Sequence, residues 1–269
     1  MKKSTLTLRK LVSSNSFANF AFAVGLYEKP ESHRPSNADF LKVVTESFDA
    51  FLAKGTSRST DKLKPLHGAI AGDIAERLGE EYEVWSQGYH NDKEAEMNGR
   101  YMDKRVDITV KKDGKAIAGI AVKFVMQNYS QNSGNYFENM LGETANIRCN
   151  GLPYFQVFII LDKLPYYNKE KEISHWETFT DHNICKYVKL SQDNTDLFFH
   201  TPNKTLIFVV HLPEPKGTVS TRDEYLNYYR NHAHDLDLSK HKYDKFGPTV
   251  ILNDYEKFMD KVYHTIKAI

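Results

Sequence analysis

Cysteine is scarce in this sequence of 269 residues, which contains only Cys149 and Cys185. Two cysteines are too few for a disulfide framework, and these two lack the paired spacing of a metal-binding motif. The sequence also lacks an apolar run long enough to cross a bilayer. We therefore expect a soluble protein without a membrane partner, with a cytoplasmic location as the default.

The first residues do not have the pattern of an export signal. Met1, Lys2 and Lys3 resemble the charged start of a signal peptide, but Arg9 and Lys10 interrupt the apolar residues that follow. Because a signal peptide needs an uninterrupted apolar stretch, we expect that the chain is not exported.

A strong excess of one charge is also missing. The sequence has 36 Lys and Arg residues against 35 Asp and Glu residues, which gives a formal net charge of +1. Attraction to nucleic acid must therefore come from a local cluster of cations rather than from the average field of the molecule. Seven cations are candidates to flank a phosphate track, although each is more often a solvated surface charge: Lys10, Lys54, Arg58, Lys62, Lys64, Lys104 and Arg105.

Linkers rich in Gly, Ser and Pro are absent, and no internal repeat is evident. A content of 41% hydrophobic and 26% charged residues is ordinary for a globular protein. We expect one domain over residues 1–269, with an amino-terminal helical region in 1–66, a core in 67–161 and a carboxyl-terminal elaboration of helices and strands in 162–269.

Hydrophobic periodicity predicts an α/β fold. Helical spacing of apolar residues predicts helices over 38–53, 67–78, 135–148, 222–232 and 252–269, with Ser36 and Asn37 as caps of the first and Gly79 as the end of the second. Extended runs predict strands over 82–85, 106–110, 116–124, 155–161 and 205–212. The core then has the order αβββαβ, and its near-continuous apolar last strand predicts a central sheet flanked by helices.

Two charged residues interrupt the predicted strands of the core. Asp107 lies in the first strand of a hairpin and Lys123 lies sixteen residues later in the second, with the turn signal Asp113-Gly114 between them. A buried strand lysine is rare without a partner. The bland interpretation is an ion pair between neighbouring strands; the functional one is a site for a hard cation beside a phosphate.

This arrangement resembles the PD-(D/E)XK nuclease superfamily, and within it the type II restriction endonucleases. The resemblance covers residues 67–161 and implies a restriction-endonuclease-like core, a central mixed sheet flanked by helices. It also implies that Asp107 binds Mg²⁺ and that Lys123 positions or activates the attacking water. The chain departs from the family pattern at Val106, where Pro is common, and at Ala121, where a second acid is expected.

The missing acid must come from elsewhere if the resemblance holds, and some restriction enzymes take it from the next helix. The predicted helix over 135–148 offers Glu138 and Glu143, which flank its apolar stripe at about equal angles. We favour Glu138 because it lies nearer the start of the helix, while Glu143 stays open as the alternative. Asp107 and Glu138, with the carbonyl of Val122, would then hold Mg²⁺.

Further candidates follow from the same resemblance. Nucleases of this type often carry a Glu on the helix before the first strand, and Glu76 matches, although its position also suits a wet helix face. His67 fits the start of that helix better than it fits a general base. Amide and hydroxyl side chains after Lys123 suit adenine and phosphate contacts, or alternatively a surface turn and cap: Gln127, Asn128, Tyr129, Gln131 and Asn132.

The resemblance therefore implies a Mg²⁺-dependent endonuclease of double-stranded DNA, most simply a sequence-specific type II restriction enzyme that leaves 5′-phosphates. Arg148 would clamp a phosphate or balance the dipole of its helix. Symmetric cutting of both strands implies a homodimer. Two alternatives stay open: a repair, recombination or transposition nuclease of the same fold, and a DNA-binding domain made inactive by Ala121.

Overall fold

The computed structural model describes residues 34–55, 61–90, 92–232, 236–243 and 245–269. The candidate cations Lys10 and Arg58, and the amino-terminal stretch with the signal-like start, lie outside these ranges. Residues 35–269 cluster as one compact unit.

The described residues form six α-helices and eleven strands, with a short 3₁₀ helix at Asp61–Leu63. The helices are α1 Asn37–Lys54, α2 Lys64–Leu78, α3 Tyr129–Arg148, α4 Asp181–Ser191, α5 Arg222–Arg230 and α6 Tyr255–Lys267. The strands are β1 Glu83–Ser86, β2 Ala95–Met97, β3 Lys104–Val106, β4 Ile108–Lys112, β5 Lys115–Val125, β6 Tyr154–Leu161, β7 Lys163–Tyr167, β8 Ile173–Thr178, β9 Lys204–His211, β10 Asp237–Leu238 and β11 Val250–Leu252.

Seven strands make one mixed sheet in the order β1-β4-β5-β6-β9-β10, with β11 pairing β9 as well. The β1-β4-β5 part is antiparallel, whereas β5, β6 and β9 are parallel to one another. Two antiparallel ribbons, β2-β3 and β7-β8, stand apart from it. The prediction of an α/β fold with a mixed central sheet flanked by helices is confirmed at this level.

The core lies along the parallel strands. All eight residues of β6 are buried, as expected for a strand with parallel neighbours on both sides. Helix α1 covers the sheet through Phe40, whose ring stacks on Tyr255 of α6 at 3.9 Å and meets Phe208 of β9 edge-on at 4.9 Å. Of the two predicted caps, Ser36 caps α1 through a reciprocal capping box with Asp39, whereas Asn37 is the first residue of the helix.

The predicted strand over 106–110 is interrupted at the functional candidate. Strand β3 ends at Val106 and pairs with β2, whereas β4 begins at Ile108 and pairs with β1 and β5. Asp107 lies at the bend between them, and the hydroxyl of Ser86 donates to its carbonyl oxygen at 2.7 Å. The chain therefore changes sheets at Asp107. The alternation of apolar and polar residues does not reveal such a change, and for this reason it predicted one strand here.

Helix α3 begins at Tyr129, six residues before the predicted start at Asn135. The amides of Tyr129 and Ser130 donate to the two carboxylate oxygens of Glu177 in β8, at 2.6 and 2.9 Å. A carboxylate at this end satisfies backbone donors and complements the helix dipole. From Tyr129 onwards, the polar stretch after Lys123 therefore belongs to the helix. The prediction had treated it as a loop or turn before the helix.

The last helix, by contrast, starts later than its predicted first residue, Leu252. Leu252 ends β11, and α6 begins at Tyr255, where Asp254 caps the helix by accepting from the amide of Lys257. The ribbon β7-β8 and helix α4 lie between the predicted strands over 155–161 and 205–212, where the sequence had predicted no helix or strand.

A buried ion pair ties α2 to α6. The guanidinium of Arg77 lies 2.6 Å from Asp73 one turn earlier and 2.6 Å from Asp260 of α6. The side chains of Arg77 and Asp73 are 6% and 3% exposed, and burial raises the pKa of Asp73 against the lowering effect of Arg77. Removal of one partner from such a pair leaves an uncompensated buried charge.

The Arg77→Met variant should therefore lose about 2 to 3 kcal/mol of unfolding free energy, measured by urea denaturation at pH 7. Arg105→Met is the control, because its pair with Glu96 is exposed on both sides and spans 3.5 Å; we expect a loss below about 0.5 kcal/mol there. An equal effect of the two substitutions would contradict the importance of burial.

Candidate active site

One pocket of about 220 Å³ opens where the β4-β5 hairpin, β6 and α3 meet. It collects both charged residues singled out from the sequence. Its walls come from Asp107, Ala121, Val122, Lys123, Tyr136, Asn139, Met140, Glu143, Gln156, Phe158 and Tyr187.

The Asp107 carboxylate is fixed by the backbone of the neighbouring strand. Its Oδ2 accepts a hydrogen bond from the amide of Val122 at 2.7 Å, while no described residue donates to its Oδ1. Burial raises the pKa of Asp107 to about 6, and the negative charge of Glu143 adds to the effect. The Val122 hydrogen bond and the charges of Lys123 and Lys104 act in the opposite direction.

Lys123 holds its amine at the mouth of the same pocket. The side chain as a whole is exposed, but Nζ lies 4.4 Å from the centre of the Tyr136 ring. Partial desolvation there lowers the pKa of Lys123, whereas Asp107 and Glu143 counteract the shift. As the predicted hairpin led us to expect, Asp107 and Lys123 lie at the same pocket.

Of the two candidate acids of α3, Glu143 lies at the pocket and Glu138 does not. Glu143 lines the pocket, its Oε1 lies 2.5 Å from Nζ of Lys104, and the hydroxyl of Tyr154 donates to its Oε2 at 3.5 Å. Glu138 is exposed, lies outside the pocket lining, and exerts its charge on Lys186 of α4. The structure therefore places the alternative acid, Glu143, in the pocket where its charge acts on Asp107, and it places the favoured Glu138 outside the pocket lining.

Gln156 of β6 was missed from the sequence. It lines the pocket and is only 7% exposed. In the parallel register of β5 and β6, it lies opposite Ala121, the position where the resemblance expects an acid. The signal that could have revealed Gln156 is its polarity within the apolar strand Tyr154–Leu161.

The candidates on α2 lie away from this pocket lining. Glu76 is exposed, and its charge contributes to raising the pKa of Asp73. His67 lies in the first turn of α2, where burial lowers its pKa to about 4. The structure therefore does not bring Glu76 or His67 to Asp107.

The proposed base-reading residues are largely engaged in the fold. Asn128 binds the backbone of Tyr167 through both its amide oxygen and its amide nitrogen, at 3.1 and 3.3 Å. Tyr129 is only 3% exposed. Gln127 is partly buried, and its Oε1 has no partner among the described residues. Gln131 is exposed and Asn132 partly exposed on the first turns of α3, so these two keep accessible polar groups.

Arg148 has a structural part as well. The guanidinium donates to the carbonyl oxygens of Phe198, Thr201 and Thr195 at 3.0, 2.7 and 2.7 Å. These bonds hold the 195–201 segment against the end of α3. Because the side chain is buried, the expectation of a phosphate clamp at Arg148 is corrected.

The described candidate cations differ in their surroundings. Burial lowers the pKa of Lys62, and the like charge of Lys123 lowers it further. Lys64 forms an ion pair with Asp92 at 2.7 Å. Lys54 and Arg105 are exposed, and Lys104 is partly buried in its pair with Glu143. Lys104 and Arg105 remain the cations nearest in sequence to Asp107.

The pocket has the donor set of a Mg²⁺ site. Mg²⁺ is commonly bound by one or two carboxylates, with water and phosphate oxygens completing the shell. Asp107 offers an oxygen without a hydrogen bond, and the Glu143 charge that raises its pKa would be balanced by a cation. Within the described ranges, no group of three or more His, Cys, Asp and Glu side chains is arranged to hold a metal. A site here therefore uses two carboxylates and neutral oxygens.

Comparisons with protein-family models, with curated proteins and with solved structures found no match. No helix in the described part of the chain is both long and apolar enough to cross a membrane.

Proposed function

We propose that the protein is a Mg²⁺-dependent endonuclease with a restriction-endonuclease-like fold of the PD-(D/E)XK superfamily, acting on double-stranded DNA. The observation that supports this proposal is the convergence of Asp107, Lys123 and Glu143 on one pocket. Two acids and a lysine beside the central strands of a mixed sheet are the groups that phosphodiester hydrolysis needs.

Each residue has a distinct part in the proposed reaction. Asp107 and Glu143 would hold the cation, with the carbonyl of Val122 as a further ligand, while the Val122 amide keeps Asp107 oriented. Bound Mg²⁺ supplies positive charge that stabilises the phosphate as negative charge develops on it. Lys123 orients the attacking water or accepts its proton. The water oxygen bonds to phosphorus, the bond to the 3′-oxygen breaks, that oxygen takes a proton, and the product carries a 5′-phosphate.

Lys104 connects this site with the surface that DNA would approach. It forms the ion pair with Glu143, and the exposed Arg105 follows it directly. Lys104 and Arg105 pair with Glu143 and Glu96 in this structure, so they would add positive charge for a phosphate backbone once a cation or DNA competes for those pairs. A type II restriction enzyme acting as a homodimer is the most specific form of the proposal, since symmetric double-strand cutting needs two such sites.

Digestion of plasmid DNA tests the proposal directly. Purified protein with Mg²⁺ should give discrete bands on a gel, and chelation of Mg²⁺ should stop the reaction. A smear or nicked circles would favour a repair, recombination or transposition nuclease instead. DNA binding without any cleavage would support an inactive binding domain and contradict the proposal.

Glu143 and Glu138 form a matched pair for a sharper test. Glu143→Gln should lower the cleavage rate by about 100-fold or more, because loss of a ligand charge costs a few kcal/mol at the transition state. Glu138→Gln changes an exposed acid of the same helix, and its rate should stay within about twofold of the original. Single-turnover rates on a cleavable plasmid measure both. The opposite pattern would return the metal-binding part to Glu138.

A further inference from the structure

Gln156 is a polar side chain in a place that calls for an explanation. It lies within an eight-residue strand that is buried throughout, and 7% of its surface is exposed. A buried amide is costly unless hydrogen bonds satisfy it. Its Nε2 makes one long contact, 3.5 Å to the carbonyl of Val157, and no described residue donates to its Oε1. Because Gln156 lines the pocket, this oxygen is available to water or to a ligand that enters there.

The sheet register shows where this oxygen is available. Gln156 pairs with Ala121 in the parallel β5-β6 ladder, two residues before the pairing of Phe158 with Lys123. Residues two apart on a strand share a face, and both Gln156 and Lys123 line the pocket with Asp107. The amide thus lies beside the small Ala121 side chain, on the face that carries the lysine.

We propose that Oε1 of Gln156, which lies opposite Ala121, is a third side-chain ligand that binds the divalent cation together with Asp107 and Glu143. Amide oxygens are recognised ligands of hard cations such as Mg²⁺ and Ca²⁺. The inference deepens the proposed nuclease function and rests on it for the identity of the cation. Because an amide oxygen is neutral, the proposed metal site has one negative charge fewer than a site with three carboxylates.

Binding of Mn²⁺, followed by electron paramagnetic resonance in the absence of DNA, provides a readout that does not depend on cleavage. Gln156→Leu removes the oxygen and should weaken Mn²⁺ binding at least tenfold. Gln156→Glu replaces it with a charged oxygen and should strengthen binding at pH 8 severalfold. Gln192→Leu, an exposed glutamine directly after α4 and outside the pocket lining, is the control and should bind Mn²⁺ as the original protein does.

A second substitution separates a ligand from a packing residue. Ala121→Asp in the Gln156→Leu background returns an acid to the neighbouring strand and should recover Mn²⁺ affinity, which a packing explanation does not predict. Unchanged affinity in Gln156→Leu would overturn the proposal. If that variant does not fold, Gln156→Glu decides, and unchanged affinity there would overturn it equally.

The outcomes also distinguish this inference from the nuclease proposal. Loss of Mn²⁺ binding in Gln156→Leu, with no DNA cleavage by the original protein, would support the ligand and contradict the nuclease. Cleavage by the original protein, together with full Mn²⁺ binding in Gln156→Leu, would support the nuclease and contradict the assignment of Gln156 as a ligand. Absence of Mn²⁺ binding by the original protein would overturn the assignment of Gln156.

Discussion

Asp107→Asn should abolish cleavage and, in metal-free buffer, make the folded protein more stable at pH 7 and above. The carboxylate is buried and its pKa is raised to about 6 from an ordinary 3.8. The folded state therefore holds a proton that the unfolded chain releases between these two pH values. A raised acid pKa adds stability below pH 4, and this contribution disappears as the pH rises through about 6.

The size of the effect follows from the shift. About two pKa units correspond to about 3 kcal/mol of unfolding free energy, which the original protein should lose between pH 4 and pH 7. Asparagine does not ionise, and its amide oxygen can still accept from the amide of Val122. Urea denaturation of both proteins in EDTA, from pH 4.5 to pH 8, measures the difference, and plasmid digestion with Mg²⁺ measures the loss of activity.

Asp113→Asn is the matched control for this experiment. Asp113 is an exposed residue of the β4-β5 turn with φ 52°, and asparagine is equally suited to that conformation. Neither its cleavage rate nor its pH profile should change. Cleavage at the original rate in Asp107→Asn would remove Asp107 from the proposed reaction, and an unchanged pH profile would contradict the effect of its burial.

Local signals were enough to predict much of this fold. The Asp113-Gly114 turn has positive φ at both residues, 52° and 73°, as the tight hairpin requires. Ser36 caps α1 and Gly79 follows the last residue of α2, as predicted. In each case the residues that determine the structure are neighbours in sequence, and their chemistry could be interpreted without knowledge of the tertiary fold.

The start of α3 could not be predicted in this way. Its first amides are satisfied by Glu177, 47 residues after Ser130. Asn128, which precedes the helix, makes no capping hydrogen bond and has φ 50°. Because the stabilising acceptor comes from a distant ribbon, the polar residues of this stretch resembled a surface turn. Two of its candidate base contacts, Asn128 and Tyr129, are instead bound or buried in the fold.

The candidate site divides along the same line. Asp107 directly precedes β4 and Lys123 lies on the adjacent strand β5 of the predicted hairpin, so their proximity followed from the sequence. Glu138 and Glu143 flank one helical stripe at about equal angles, and contacts with Lys104 and Tyr154 distinguish them. Gln156 reaches the site through parallel pairing of β6 with β5, a register that no local signal specifies.

Lys123→Met should lower the cleavage rate by about 10² to 10⁴-fold, the usual range for loss of a group that transfers or positions a proton. The neutral side chain cannot orient the attacking water by charge or accept its proton. Lys115→Met, an exposed lysine at the start of the same strand, is the control and should cleave normally. Single-turnover cleavage with Mg²⁺ measures both variants.

Metal binding and pH dependence distinguish the lysine from the acids. Loss of a positive charge beside Asp107 and Glu143 should leave Mn²⁺ affinity intact or higher in Lys123→Met, whereas Asp107→Asn should lower it. If the amine accepts the proton of water, the original rate should rise as the pH passes the lowered pKa of Lys123. Lys123→Arg, which stays charged, should then be slow at every pH. An arginine variant with most of the original rate would show instead that only the positive charge at this position is needed.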